Sequence, residues 1–155
     1  MKKVILLMFL MCVSIASAQH LYTGATPYSQ YYGENPSCEE YGCSQIKVTT
    51  SNSDVLVTIK KKGKVVRHAF IEANDSYTFS FANGTYQVFF YYGKGWNPNK
   101  IMKTKNGTIK GGFSYNEHFG KDAPQSLYNN VLEYRLILQQ NGNFSTKPSN
   151  VQEAL

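Results

Sequence analysis

Apolar and polar positions alternate along most of the chain from Ile46 to Gln139, and that period of two predicts strands. Ile46 and Val48 open the first run. Val55, Val57 and Ile59 then face one way with Thr58 and Lys60 opposite, and Lys62-Gly63 turns the chain. In the next run Val65, Arg67, Ala69 and Ile71 alternate with Val66, His68 and Phe70. Two largely apolar faces predict a central strand covered on both sides. Asn74-Asp75 is a turn signal, and Tyr77, Phe79 and Phe81 form an inward row after it. Asn83-Gly84 predicts a tight hairpin, because both residues tolerate positive φ. Residues 85–92 are almost all β-branched or aromatic, as strands favour.

Glycine, asparagine and proline interrupt the pattern at 93–99, which predicts a loop. A short strand near Ile101, a turn at Asn106-Gly107 and residues 108–113 predict a second hairpin, followed by a loop over 114–124. Gly93-x-Gly95 and Gly111-Gly112 open no helix, so they read as bends or bulges rather than as a phosphate cradle. Residues 131–139 form the last run, with Leu132, Tyr134, Leu136 and Leu138 on one face against Glu133 and Arg135. Polar residues follow, and a tail over 143–155 is expected to fray. The total is about seven or eight short antiparallel strands at roughly ten-residue spacing, which predicts a single all-β sandwich over 45–142.

The N-terminal residues obey a different pattern. Lys2 and Lys3 precede an apolar stretch over 4–15, broken only by Ser14, and Ala16-Ser17-Ala18 ends it. This is the pattern of a secretory signal peptide over 1–18, cleaved after Ala18. Its apolar part is well short of the roughly 20 residues that span a bilayer, so no transmembrane anchor is expected. Bulky Met11 before Cys12 disfavours lipidation there. Export to the periplasm or beyond, within reach of the cell envelope, is the predicted fate. Cleavage of the 155-residue chain leaves 137 residues, enough for one domain. Losing Lys2 and Lys3 lowers the basic count from 16 to 14 against 10 acids, a net charge of +4. Modest charge together with export argues against a nucleic-acid partner. The run Lys60-Lys61-Lys62 with Lys64 brackets a turn, where lysines serve solubility and edge protection.

Cleavage also removes Cys12 and leaves Cys38 and Cys43, an even pair that predicts a disulfide in an oxidising compartment. The pair is spaced C-x-x-x-x-C rather than the redox-active C-x-x-C, and zinc would need two further ligands. No metal and no cofactor are expected. Residues 19–44 form a Tyr-, Gly- and Pro-rich arm without period, whose tyrosines at 22, 28, 31, 32 and 41 are expected to pack on the domain.

The run from Tyr77 to Phe90, YTFSFANGTYQVFF, resembles the hairpin of small prealbumin-like sandwiches through Asn83, Gly84, Tyr86 and Val88. These are the PEGA and carboxypeptidase-regulatory-type modules. The resemblance covers about a tenth of the chain. It implies an accessory β-sandwich of an envelope or extracellular protein, without catalysis of its own.

Candidate chemistry is sparse. His68 sits on a strand and is expected to be a structural histidine, while His118 lies in a predicted loop beside Glu117 and Asp122. Those three could supply a general base and its orienting carboxylate. No G-x-S-x-G elbow, no H-E-x-x-H and no free cysteine completes a mechanism, so no catalytic residue is assigned. A small hydrolase using Glu117, His118 and Asp122 is the rival reading. Asn74, Asn83, Asn106 and Asn143 begin N-x-[ST] patterns that are read as turn chemistry.

Aromatic residues are the stronger signal. Tyr91, Tyr92 and Trp96 border one predicted loop and Phe113, Tyr115 and Phe119 the other. If the loops share one end of the sandwich, Tyr92, Trp96, Asn97, Tyr115 and His118 make a ligand-binding patch. Flat rings with amides beside them suit an envelope glycan or an extended peptide; otherwise the rings cap the core. The sequence thus predicts a noncatalytic binding or scaffold module. A structural protomer pairing through edge strands or the tyrosine arm is a further alternative.

Overall fold

A computed structural model describes residues 20–38, 42–136 and 147–155. The predicted signal segment with Cys12, Tyr41 of the arm, Leu138 and the first residues of the tail lie outside the described residues. Nine strands occupy most of the rest: β1 (Ser44–Thr50), β2 (Asp54–Lys61), β3 (Lys64–Ile71), β4 (Ser76–Phe81), β5 (Gly84–Thr104), β6 (Gly107–Lys121), β7 (Gln125–Leu127), β8 (Val131–Leu136) and β9 (Lys147–Pro148). Two four-residue helices accompany them, α1 (Ser29–Tyr32) and α2 (Val151–Ala154).

The strands form two sheets, and the predicted all-β sandwich is what they build. One sheet runs β4-β1-β8, the other β3-β2-β5-β6-β9, with β7 paired to the start of β5. Not every pair is antiparallel: β8 lies parallel to β1, in the register Ile46 to Leu132 and Val48 to Tyr134. Nor are all strands short, since β5 has 21 residues and β6 has 15.

Alternation explains the main core. Ile46 and Val48 of β1, Val55, Val57 and Ile59 of β2, Ala69 and Ile71 of β3, Phe79 and Phe81 of β4 and Val88 and Phe90 of β5 all meet between the sheets. Tyr134 and Leu136 of β8 complete it, as the last apolar run predicts. Burying such side chains stabilises by about 1.5–3 kcal/mol each relative to exposure, before the entropy of ordering them is subtracted.

The larger sheet has a second apolar face. Leu56, Phe70, Phe89 and Tyr91 point away from the main core and pack with Met102, Ile109 and Phe113 of the β5–β6 hairpin. Register breaks between Tyr92 and Lys94 and between Asn97 and Ile101 bend the hairpin so that these residues meet. The arm and α2 close the cluster with Ala25, Tyr28, Ala154 and Leu155.

Four further sequence expectations are overturned. First, β3 is an edge strand, not a central one. The arm covers its second face and also its edge. Gly24 N–H donates to the Phe70 carbonyl and Phe70 N–H to the Ala25 carbonyl, both at 2.8 Å. The Asn35 amide donates to the His68 carbonyl at 2.7 Å and accepts the His68 N–H at 3.0 Å, so one side chain replaces a strand partner. Second, Asn83-Gly84 makes no hairpin. Neither residue has positive φ, β4 pairs with β1, and Gly84 pairs with Leu127 of β7. Asn83 instead knits a crossover between the sheets: its side-chain Oδ1 accepts from Ser44 Oγ at 2.7 Å and from Asn129 N–H at 2.9 Å. Third, the predicted loops at 93–99 and 114–121 belong to β5 and β6, because the ladder continues through bulges rather than ending. Fourth, the tail does not fray at its end. Asn150 caps α2 by accepting from Glu153 N–H at 3.0 Å, and Leu155 is buried.

Other local signals hold. Lys62 and Gly63 take φ of 51° and 78°, the positive pair that a tight β2–β3 hairpin requires. The second hairpin turns one residue earlier than expected, at Lys105-Asn106 with Gly107 opening β6, and Cys38 and Cys43 are joined with their Cα atoms 6.2 Å apart.

Candidate functional site

The five residues predicted to bind a ligand do not gather into one patch. Tyr92 is buried in the main core and its ring stacks on that of His118 at 4.2 Å. Burial pushes its phenol well above the ordinary tyrosine range. Trp96 packs into the other cluster, within 6.0 Å of the rings of Tyr28, Phe70 and Phe113. Asn97 is exposed and its side chain accepts from Asn99 N–H at 2.9 Å, a local turn bond. Tyr115 is 69% exposed and lies over Gly95. The β-ribbon separates the rings into two clusters because alternate residues of a strand face opposite ways.

The same alternation divides Glu117 from His118, and Asp122 lies beyond the end of β6. Glu117 sits with the second cluster, where one carboxylate oxygen accepts from Tyr91 OH at 2.6 Å and the other pairs with Lys100 Nζ. The Lys100 ammonium also donates to the Phe113 carbonyl at 2.6 Å. Tyr91 in turn accepts Phe113 N–H at 2.8 Å, and burial pushes its phenol up to about 12. Asp122 accepts from Tyr134 OH at 2.8 Å and Gln125 Nε2 at 3.0 Å. Among the described residues His118 has no carboxylate within 4.0 Å.

His68 is the structural histidine its strand position suggests, fully buried beneath the arm. Its Nε2 accepts Tyr28 N–H at 3.1 Å, so this nitrogen is unprotonated. Its Nδ1 has no well-aligned partner among the described residues, with the backbone of Thr26 facing it. Burial lowers the imidazole pKa, and the Thr26 backbone and Glu34 act weakly the other way.

Fixing Tyr28 in this way fixes α1, and α1 forms one wall of a groove of about 510 Å³. Tyr31 and Tyr32 stand on that wall. Lys60 and Lys64 come from the β2–β3 hairpin, residues 104–109 from the β5–β6 turn, and Gln152 and Leu155 from the C-terminal segment. Tyr31 OH is tied to the opposite wall by accepting Lys110 N–H at 2.9 Å. Tyr32 is half buried, which pushes its phenol up to about 12.

The charged side chains that line the groove are all lysines: Lys60, Lys64 and Lys105. Lys60 is partly buried: its ammonium donates to the Glu153 carbonyl and lies 5.2 Å from the Phe89 ring centre. Burial lowers its pKa; the Glu153 carboxylate opposes that shift and the Lys105 charge adds to it. The Glu153 carboxylate is itself engaged through both oxygens with Lys121 Nζ at 2.8 Å.

Sequence reasoning missed this groove. The lysine run was visible, but only as turn chemistry, and nothing in the arm's composition says that Tyr31 and Tyr32 stand opposite it. Compared with known proteins, the chain matches no family model, no curated protein and no solved structure. No helix among the described residues is long and apolar enough to cross a membrane.

Proposed function

We propose that the chain is an exported, noncatalytic β-sandwich module that holds an extended ligand, a glycan or a peptide, in the groove at the turn end of its larger sheet. The observation that carries this reading is the groove itself. Four separate parts of the chain converge on about 510 Å³ and present two tyrosine rings beside amide and ammonium donors. Concave sites with aromatic walls and a few convergent polar groups are the usual form of a binding site. The arm supports the reading too: it is held by backbone bonds to β3 and by the buried Tyr28, so the wall is preformed. The division of Glu117 from His118 supports leaving catalysis out.

Titration of the mature protein against a panel of oligosaccharides and extended peptides tests this, followed by backbone NMR shifts. Shifts are expected at Tyr31, Tyr32, residues 104–109 and Gln152, and Tyr31→Ala is expected to weaken binding about tenfold, the loss of one aromatic contact and its hydrogen bond. Shifts confined to Tyr115 and His118 would move the site away from the groove. A panel without any saturable response rejects the binding role.

A further inference from the structure

The groove's charge says more than its shape. We propose that its ligand is an acidic polysaccharide, a sugar chain carrying carboxylates or sulfates. This rests on the groove being the binding site, and the argument for acidity is separate. Lys60 and Lys64 reach it from the β2–β3 hairpin and Lys105 from the β5–β6 turn, and the Lys105 charge is close enough to disfavour that of Lys60. Among the described residues neither Lys64 nor Lys105 has a carboxylate within 4.0 Å. The one acid beside Lys60, Glu153, is held by Lys121 and by Ser149 Oγ at 2.9 Å. Lysines that served solubility alone would spread over a convex surface. Here three converge on a concavity, and like charges held together lower their mutual cost when an anion lies between them.

The sugar part follows from the rest of the wall. Tyr31 and Tyr32 offer ring surface for the apolar face of a pyranose, and Gln152 and Asn106 offer amides to hydroxyls. A lipid surface would be met by a flat or convex basic face, whereas these lysines sit around a cleft.

Polygalacturonate and chondroitin sulfate, titrated into the mature protein at two salt concentrations, are the probes. Both are expected to bind saturably, with shifts at Tyr31 and Tyr32 and with affinity falling as salt rises. The double variant Lys64→Ala/Lys105→Ala keeps the exposed turns and is expected to bind about tenfold less tightly, the size of two partly exposed charge pairs. Its salt dependence should also be shallower.

Fully methyl-esterified polygalacturonate is the neutral control. Equal binding of the neutral and acidic chains, or unchanged affinity in the double variant, would overturn the acidic ligand while leaving the groove as the site. Polyphosphate or anionic phosphatidylglycerol vesicles binding as tightly as the acidic glycans would also overturn it, because the sugar is then not read. If no probe, neutral or acidic, shifts Tyr31 or Tyr32, the groove reading fails together with this one.

Discussion

Tyr28 shows how much one residue of an irregular segment can organise. It is one of several tyrosines in an arm with no period, yet it is fully buried and bonded at both ends. Its N–H donates to His68 Nε2, and its hydroxyl donates to the Gly111 carbonyl at 2.7 Å. Gly111 has φ of +114°, and a Cβ there would stand 2.7 Å from the Trp96 ring and 3.2 Å from that of Tyr28. The glycine thus admits two rings as well as bending the strand. Tyr28→Phe keeps the ring and removes the hydroxyl, leaving a buried carbonyl without its donor. Urea denaturation should show a loss of about 1–3 kcal/mol, the cost of such an unsatisfied group. A phenylalanine variant as stable as the parent would mean that the hydroxyl contributes nothing.

At the scale of elements, signals carried by neighbouring residues were legible, and signals that depend on a distant partner were not. Lys62-Gly63 and Asn83-Gly84 look alike in sequence, and only the first forms a hairpin. The difference is made by Ser44 and Asn129, which bond to Asn83 from 39 and 46 residues away. Gly93 reads as a loop for a similar reason. Its missing side chain leaves room for Phe113, whose Cβ would lie 2.3 Å from a Cβ at that position, and the ladder runs on past it. Tyr92 reads as a patch residue and Leu127 lies in no predicted strand, but most of the main core was legible because alternation reports burial directly. The groove was not, since its lysines, tyrosines and amides come from segments that carry no common pattern. Helix α2 extends this lesson to stability. Four residues cannot hold a helix by themselves. Its order comes from the Asn150 cap, the Thr58 hydroxyl donating to the Ala154 carbonyl at 2.7 Å, and the burial of Ala154 and Leu155. Leu155→Ala is therefore expected to cost about 2 kcal/mol or more, as buried leucine truncations do, and thermal melting would read it. Its amide-exchange protection should fall in α2 and in residues 104–109 first. An unchanged melting temperature would show that α2 docks without contributing to the fold.

The whole molecule has two cores on the two faces of one sheet, and they are not held alike. The main core lies between two hydrogen-bonded sheets. The second is closed by the arm and α2, and the arm hangs on His68 as well as on β3. The imidazole faces the rings of Tyr28 and Tyr32, the Thr26 backbone and Glu34 from the arm, while Asn35 bonds the His68 backbone, Thr58 of β2 pairs with His68 and Arg67 precedes it in β3. Burial holds its folded-state pKa below the ordinary value, and Glu34 offsets only part of that. The sign of the linkage follows. Below about pH 6.5 the unfolded chain takes up a proton that the folded one refuses, so stability falls as the pH drops through that value and levels off below the folded pKa. Asp75 and Glu153, whose pKa values are lowered mainly by side-chain hydrogen bonds from Thr23 and Lys121, lose their contributions only in the more acidic carboxylate range. The melting temperature of the protein should therefore decline between pH 7 and pH 5, with proteolytic cleavage of the arm appearing first. His68→Gln keeps an acceptor for Tyr28 N–H but cannot take a proton. It should melt lower than the parent at pH 7, yet lose little more on acidification to pH 5. A glutamine variant that declines as steeply as the parent would place the proton uptake elsewhere, and arm cleavage without pH dependence would release His68 from the role of fastening the groove's tyrosine wall.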